Sequence, residues 1–88
     1  MAIIKKKTWP ECFELIKNGK KRFELRLADF NIKEGDTLVL EEWNPKTKQY
    51  TGRKIEKNVD YVLQFKLDDF GQKEEIKKKG LHVIQFAD

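Results

Sequence analysis

The first regular pattern in the chain is a helical one. Thr8 and Glu11 have the spacing of a capping box, and the proline between them suits the first turn of a helix. The dipeptide Asn18-Gly19 is typical of a left-handed stop at a helix C-terminus. The apolar residues that recur on one helical face in between are Cys12, Phe13, Leu15 and Ile16. The pattern therefore predicts a helix over residues 9–18.

Patterns with the period of a β-strand follow the helix. Over residues 23–27, apolar side chains alternate with charged ones, which is typical of a half-buried strand. Residues 37–43 contain an apolar run that is typical of a well-buried strand. Residues 44–47 (Asn-Pro-Lys-Thr) predict a hairpin loop. We expect the return strand to run from Tyr50 to Leu63, strongly bent and with a bulge at Gly52.

The last third of the chain completes the predicted fold. Residues 67–79 have helical spacing with Gly71 in the middle, which indicates a short helix or an ordered loop. Residues 81–86 alternate well enough for a closing strand. About five strands and one or two helices form most simply an α+β fold whose small, curved sheet closes toward a β-barrel, because closure removes exposed edges. We expect a single domain over residues 1–88.

The charge and the rare residue types narrow the range of partners. The sequence has 19 Lys and Arg residues against 15 Asp and Glu residues, and the net charge of +4 favours polyanionic partners mildly. The single cysteine, Cys12, excludes an internal disulfide, and the single histidine, His82, leaves no set of zinc ligands. The apolar residues 1–4 precede the lysines, which is the reverse of the order in a signal peptide. We therefore expect a cytoplasmic monomer without a cofactor, a metal or a membrane partner.

The densest group of charged residues runs from the predicted helix end into the first predicted strand after it. Alternation places Glu24 and Arg26 on the same face of that strand, and the long side chain of Lys21 lies at its mouth. Three charged groups could thus converge on one anion or one polar ligand. On spacing alone, an ordinary surface ion pair between Glu24 and Arg26, worth about 0–1 kcal/mol, explains the same pattern.

The run Gly19-x-Lys21-x-x-Glu24-x-Arg26 resembles the ASCH domain of the PUA-like superfamily. The further matches are Trp9-Pro10 with Phe13, Gly35-Asp36, Glu42-Trp43-Asn44-Pro45 and Tyr50-Thr51-Gly52-Arg53. Within that group the chain is most similar to a small subfamily of unassigned function, DUF3850. The resemblance covers nearly the whole chain. It implies a partly closed β-barrel with a cleft beside the helix. In the family this cleft is expected to bind RNA or a nucleotide-like ligand.

RNA recognition requires cations along a groove and aromatic rings on which bases stack. Basic residues surround Trp9, and a second basic group lies near the hairpin. These lysines could instead form a solvated surface, with both tryptophans anchoring the core. With the resemblance, we expect a module for RNA or a nucleoside or nucleotide ligand, in which Lys21 and Arg26 contact phosphate or carbonyl oxygens and Glu24 accepts hydrogen bonds from a base. The predicted ligand-binding residues are Lys7, Trp9, Lys20, Lys21, Glu24, Arg26 and Arg53.

Two alternatives stay open. Another branch of the ASCH family hydrolyses N4-acetylcytidine with a lysine, a threonine three positions later and a distant glutamate. Lys21 matches that lysine, but Glu24 stands in the position of the threonine, so the hydroxyl group is absent. If the protein is an enzyme, we expect an amidohydrolase acting on N4-acylated cytidine, with Lys21 and Glu24 in its active centre. The other alternative is a basic adaptor that docks an acidic protein.

Overall fold

The secondary structure follows the local sequence patterns in most places, and the sheet is smaller than predicted. A computed structural model describes residues 1–87 and contains three strands, two α-helices and one 3₁₀ helix. In chain order the elements are β1 (Ile3–Thr8), α1 (Pro10–Lys17), β2 (Thr37–Asn44), β3 (Gln49–Asn58), the 3₁₀ helix (Leu67–Phe70) and α2 (Lys73–Lys79). The protein is therefore a small α+β structure built on an open sheet.

Strand β2 occupies the centre of the sheet, whose order is β1-β2-β3. It pairs in parallel with β1, from Ile3 opposite Thr37 to Thr8 opposite Glu42. A parallel pair needs a crossover connection, and α1 lies in that connection. On its other side, β2 pairs antiparallel with β3, to which the hairpin joins it. The two edges of the sheet are therefore β1 and β3.

The core lies between α1 and one face of the sheet. Leu38 and Leu40 alternate along β2 and pack against Ile16 of α1. Phe13, about one helical turn before Ile16, is only 1% exposed. By the same alternation Val39 points to the opposite face, and it is also buried, so the middle of β2 is covered on both sides. The partly buried residues packed around this core are Ile4, Ile32, Ile55 and Val59.

The predicted first helix is confirmed, but its N-terminus differs from the prediction. Helix α1 starts at Pro10 with Trp9 as its N-cap, and no side chain caps it. Thr8 does not form the predicted capping box because it is the last residue of β1, where its hydroxyl accepts a hydrogen bond from Arg26. At the other end, Gly19 has a φ of +80°, as predicted for a left-handed stop.

The predicted hairpin and its bulge are confirmed. The turn begins after Asn44, whose side-chain oxygen accepts hydrogen bonds from two backbone N–H groups of the turn. Beyond the turn, Glu42 of β2 faces three residues of β3, namely Thr51, Gly52 and Arg53. Gly52 has a φ of +94°, a conformation that other residues rarely adopt. The glycine therefore permits the irregular backbone that faces Glu42.

Two of the predicted strands are irregular in the structure. Residues 23–27 form no strand, and Leu25 and Leu27, which a barrel would bury, are 67% and 79% exposed. Residues 81–86 likewise form no strand, and β3 ends at Asn58, earlier than predicted. Alternation shows only which side chains are apolar, whereas a strand also needs a neighbouring backbone to pair with. The sheet in the described part of the chain has three strands, and the predicted five-strand barrel is not confirmed.

Two short helices follow the sheet. Gly71, with a φ of +68°, ends the 3₁₀ helix, and α2 begins at Lys73. The prediction of a short helix or an ordered loop over residues 67–79 is thus confirmed, and the segment forms two short helices. Across the stretch from residue 1 to residue 87, no helix has the length and apolar composition needed to cross a bilayer.

Candidate functional site

A cleft with a volume of about 210 Å³ opens where β1, α1 and the connection after α1 meet. The end of β1 and the start of α1 form one wall, and the connection supplies a group of charged side chains opposite. The lining residues are Lys7, Thr8, Trp9, Cys12, Lys21, Glu24, Leu25 and Arg26. Five of the seven predicted ligand-binding residues therefore line one cleft.

The carboxylate of Glu24 joins the two cations that the sequence placed beside it. Lys21 Nζ donates a hydrogen bond to Glu24 Oε1 at 2.8 Å, and Arg26 Nε donates to Glu24 Oε2, also at 2.8 Å. The side chains of Lys21, Glu24 and Arg26 are only 18%, 16% and 30% exposed. Water therefore screens the attraction within these two ion pairs less than it screens a fully exposed pair. The three charged groups thus converge in the cleft instead of spreading into solvent.

Arg26 is held in place by the end of β1. Its Nη2 donates to the backbone carbonyl of Lys7 at 2.6 Å and to the hydroxyl of Thr8 at 3.2 Å. Thr8 is only 3% exposed, and its hydroxyl faces the arginine. The irregular segment after α1 is therefore held against the sheet by the side chain of Arg26 and not by backbone hydrogen bonds of a paired strand.

Lys21 reaches the cleft because of the way α1 ends. After the left-handed Gly19, the backbone N–H of Lys21 donates to the carbonyl of Leu15 at 2.9 Å. The neighbouring N–H of Lys20 donates to the side-chain oxygen of Asn18 at 3.0 Å. These bonds fix the backbone at Lys21, so the helix end sets where the side chain starts, and the hydrogen bond to Glu24 positions its ammonium group.

The structure places two of the predicted ligand-binding residues, Lys20 and Arg53, outside the lining of the cleft. Lys20 is exposed, and its backbone carbonyl accepts a hydrogen bond from the side chain of Gln85 at 3.0 Å. Arg53 donates from Nε and Nη2 to the two oxygens of Glu42 at 2.9 and 2.8 Å, and from Nη2 to Glu14. Arg53 therefore ties the hairpin to α1, and its guanidinium is already engaged by two carboxylates.

Glu42 is the central acceptor of this second network, and the sequence analysis did not single it out. It is 4% exposed, and besides Arg53 it accepts a hydrogen bond from the hydroxyl of Thr51 at 2.6 Å. These hydrogen bonds, that of Arg53 first and that of Thr51 second, lower the pKa of Glu42 to about 2. The hydrogen bond to Glu42 is likewise the main cause that raises the pKa of Arg53 above its ordinary value. The sequence does contain a signal for Glu42. It follows Leu38 and Leu40 at alternate positions of β2, so it shares their inward face, where a carboxylate needs a partner.

The aromatic residues differ in their exposure around the cleft. Trp9 is 58% exposed and lines the cleft, so its ring is accessible from solvent. Trp43 is half-buried. The ammonium of Lys7 lies 4.5 Å from the centre of the Trp43 ring and 5.8 Å from that of Tyr50, both within the range of a cation–π contact.

A second hollow, with a volume of about 390 Å³, lies beside the 3₁₀ helix and α2. It contains none of the predicted ligand-binding residues. Its lining residues are Asp68, Gly71, Gln72, Lys73, Glu74 and Glu75. Within residues 1–87, no three His, Cys, Asp or Glu side chains are grouped closely enough to hold a metal ion.

The fold and the cleft define a small α+β protein with a charged cleft at one end of its sheet. From residue 3 to residue 76 the chain matches the family described as "Domain of unknown function (DUF3850)", and it belongs to that family. This confirms the predicted similarity to DUF3850, and the wider ASCH classification stays a prediction.

A curated relative from a bacterial virus is similar to most of the chain. It is the uncharacterized 12.9 kDa protein in the GpA 3' region of Escherichia phage P2, which is 42% identical over 60 residues. The match covers 66% of this chain and 53% of the phage protein, so the chain spans about half the length of that relative. No solved structure matches the chain.

Proposed function

We propose that the protein is an ASCH-type module that binds RNA or a nucleotide in the cleft beside α1. The observation that carries this proposal is the convergence of Lys21 and Arg26 on the carboxylate of Glu24, next to the exposed ring of Trp9. Cations bind the phosphate of a nucleotide, a hydrogen-bond acceptor binds the amino group on the edge of its base, and an aromatic ring stacks on the face of that base.

The hydrogen-bonding capacity of the cleft supports this proposal. Three cationic side chains and one carboxylate line it, so the cleft has an excess of positive charge. A lysine ammonium has three donors and an arginine guanidinium has five. Lys21 and Arg26 therefore retain N–H groups for a phosphate while both stay bonded to Glu24. The Glu24 oxygens also have free lone pairs that can accept from the amino group of a base.

The proposed ASCH-type barrel has support from contacts at the C-terminal end of the described chain. The side-chain oxygen of Gln85 accepts from the backbone N–H of Arg22, and its amide donates to the carbonyl of Lys20. Arg22 Nη2 donates to the carbonyl of Phe86 at 2.9 Å. These contacts bring residues 20–22, which directly precede the predicted strand over residues 23–27, beside the end of the predicted closing strand over residues 81–86.

Chemical-shift titration with uridine monophosphate, cytidine monophosphate and a short single-stranded RNA tests the proposal. We expect shifts at the cleft residues and weaker binding as salt rises. Lys21→Ala should weaken binding by roughly tenfold or more, because a charge-assisted hydrogen bond contributes about 1.5–3 kcal/mol. The matched control is Lys78→Ala, since Lys78 is exposed and lies outside the cleft.

The outcomes separate the possible functions. Absence of binding by every nucleotide and RNA, or binding that salt does not weaken, would contradict the proposal. A parallel assay with N4-acetylcytidine tests the amidohydrolase alternative. Turnover that Lys21→Ala abolishes would assign catalysis to the same cleft, whereas unchanged acetylcytidine would remove that alternative.

A further inference from the structure

We propose that the face of the sheet opposite α1 carries a second stacking site for single-stranded RNA, formed by Tyr50 and Trp43 with Lys7 beside them. An RNA strand held in the cleft would leave it past Lys7 and stack a further base on Tyr50. This inference rests on the proposed function of the cleft and extends it from a single nucleotide to a strand.

The register of the sheet brings these side chains onto one face. Lys7 pairs with Glu41 across β1 and β2, and Trp43 pairs with Tyr50 across β2 and β3. Because side chains alternate along a strand, Lys7, Trp43 and Tyr50 project on the side opposite Leu40, which packs against α1. The distances of 4.5 and 5.8 Å from the Lys7 ammonium to the two ring centres agree with this placement.

Lys7 belongs to both the cleft and this aromatic pair. Its carbonyl accepts the hydrogen bond from Arg26, and it lines the cleft, while its ammonium lies over Trp43. Between residues 1 and 87, every other cation in the cleft is paired with a carboxylate, whereas Lys7 forms no ion pair there. The two surfaces therefore share Lys7, whose ammonium forms no ion pair in the described chain although Glu41 is its cross-strand neighbour.

The chemistry of this surface fits a base with its phosphate. Tyr50 is 54% exposed, so part of its ring is open to a stacking partner. Base–aromatic stacking tolerates any sequence, and a neighbouring ammonium neutralises the phosphate that accompanies the base. An acidic protein would gain from the cation but would have little use for an exposed aromatic ring beside it.

The test compares uridine monophosphate with a uridine hexanucleotide, titrated against the full chain and its variants. Tyr50→Ala should weaken hexanucleotide binding by roughly fivefold or more, as loss of one stacked base implies. Tyr50→Phe retains the ring and should bind as the wild type does. The matched control is Tyr61→Ala, because Tyr61 is 74% exposed and belongs to neither surface. None of these changes should alter binding of the monophosphate.

Lys7→Gln gives a second, electrostatic measurement. It should reduce the slope of log K against log salt for the hexanucleotide by about 0.7, the value for one phosphate of a single strand. If Lys21→Ala weakens both probes but Tyr50→Ala weakens neither, the second stacking site is refuted while the proposed function stands. If neither probe binds the wild type, the proposed function fails, and this inference fails with it.

Discussion

The carboxylate of Glu42 occupies an inward position of the central strand, where an unpaired charge would be strongly unfavourable. Three hydrogen bonds, two from Arg53 and one from Thr51, compensate its loss of water. A guanidinium that donates two parallel bonds suits such a carboxylate better than an ammonium would. The bulge of β3 thus brings Thr51 and Arg53 to the same carboxylate, that of Glu42.

The lowered pKa of Glu42 predicts a specific loss of stability in acid. The unfolded chain takes up a proton at this group near its ordinary pKa of 4.5, and the folded chain only near 2. The contribution of Glu42 is therefore complete above pH 4.5 and is lost as the pH falls toward 2. Chemical denaturation at a series of pH values measures it. Glu42→Gln should reduce the slope of the free energy of unfolding against pH in this range.

Glu41→Gln is the matched control for that measurement, because Glu41 is adjacent on β2 but projects from the opposite face. It should keep the acid dependence of the wild type. If Glu42→Gln and the wild type lose stability equally between pH 4.5 and pH 2, the network around Arg53 does not have the energetic role assigned to it.

At the residue scale, the sequence predicted the local part of the cleft and missed the part that depends on distant contacts. Glu24 and Arg26 are two positions apart, so strand alternation predicted them on one side, and they lie together although no strand forms there. The carbonyl of Lys7, which accepts from Arg26, is 19 positions away, and no periodicity relates the two residues. Arg53 was predicted to bind a ligand because it belongs to the basic group near the hairpin, and its pairing with Glu42 becomes visible only when the sheet is assembled.

At the scale of elements, the hairpin was predictable because turn chemistry is local. Asn44 and the glycine at position 52 have backbone preferences that hold in almost any surroundings. Residues 23–27 show the opposite case, since their alternation fits a strand that forms only if another strand lies beside it. Side-chain bonds from Arg26 hold that segment instead.

The hairpin offers a pair of substitutions with opposite signs. Gly52→Ala places a side chain at a φ of +94° and should destabilise the protein by about 1–2 kcal/mol. Lys48 adopts a φ of +57° without being glycine, so Lys48→Gly should stabilise by up to about 1 kcal/mol. Thermal and urea unfolding report both changes. Equal signs for the two variants would show that backbone strain does not govern this hairpin.

At the scale of the whole molecule, the contacts of Gln85 connect the segment directly after α1 with the C-terminal part of the described chain, outside the sheet. The backbone N–H of Arg22 is bonded to this side chain, 63 positions later in the sequence. Gln85→Ala should therefore speed hydrogen exchange at the Arg22 amide by a factor of about 2–10. Gln64→Ala, at another exposed glutamine, should leave that amide unchanged. Unaltered exchange in Gln85→Ala would refute the tie between these segments.

The parallel pairing of β1 with β2 also has a consequence for the newly made chain. The partner of Ile3 is Thr37 and that of Thr8 is Glu42, so β1 leaves the ribosome before its partner strand and cannot pair until β2 has been synthesised. The hairpin partners, in contrast, are close neighbours in sequence and can associate early. Because Lys7 and Thr8 come from the strand that pairs late, we expect the cleft beside α1 to form only after translation has passed β2.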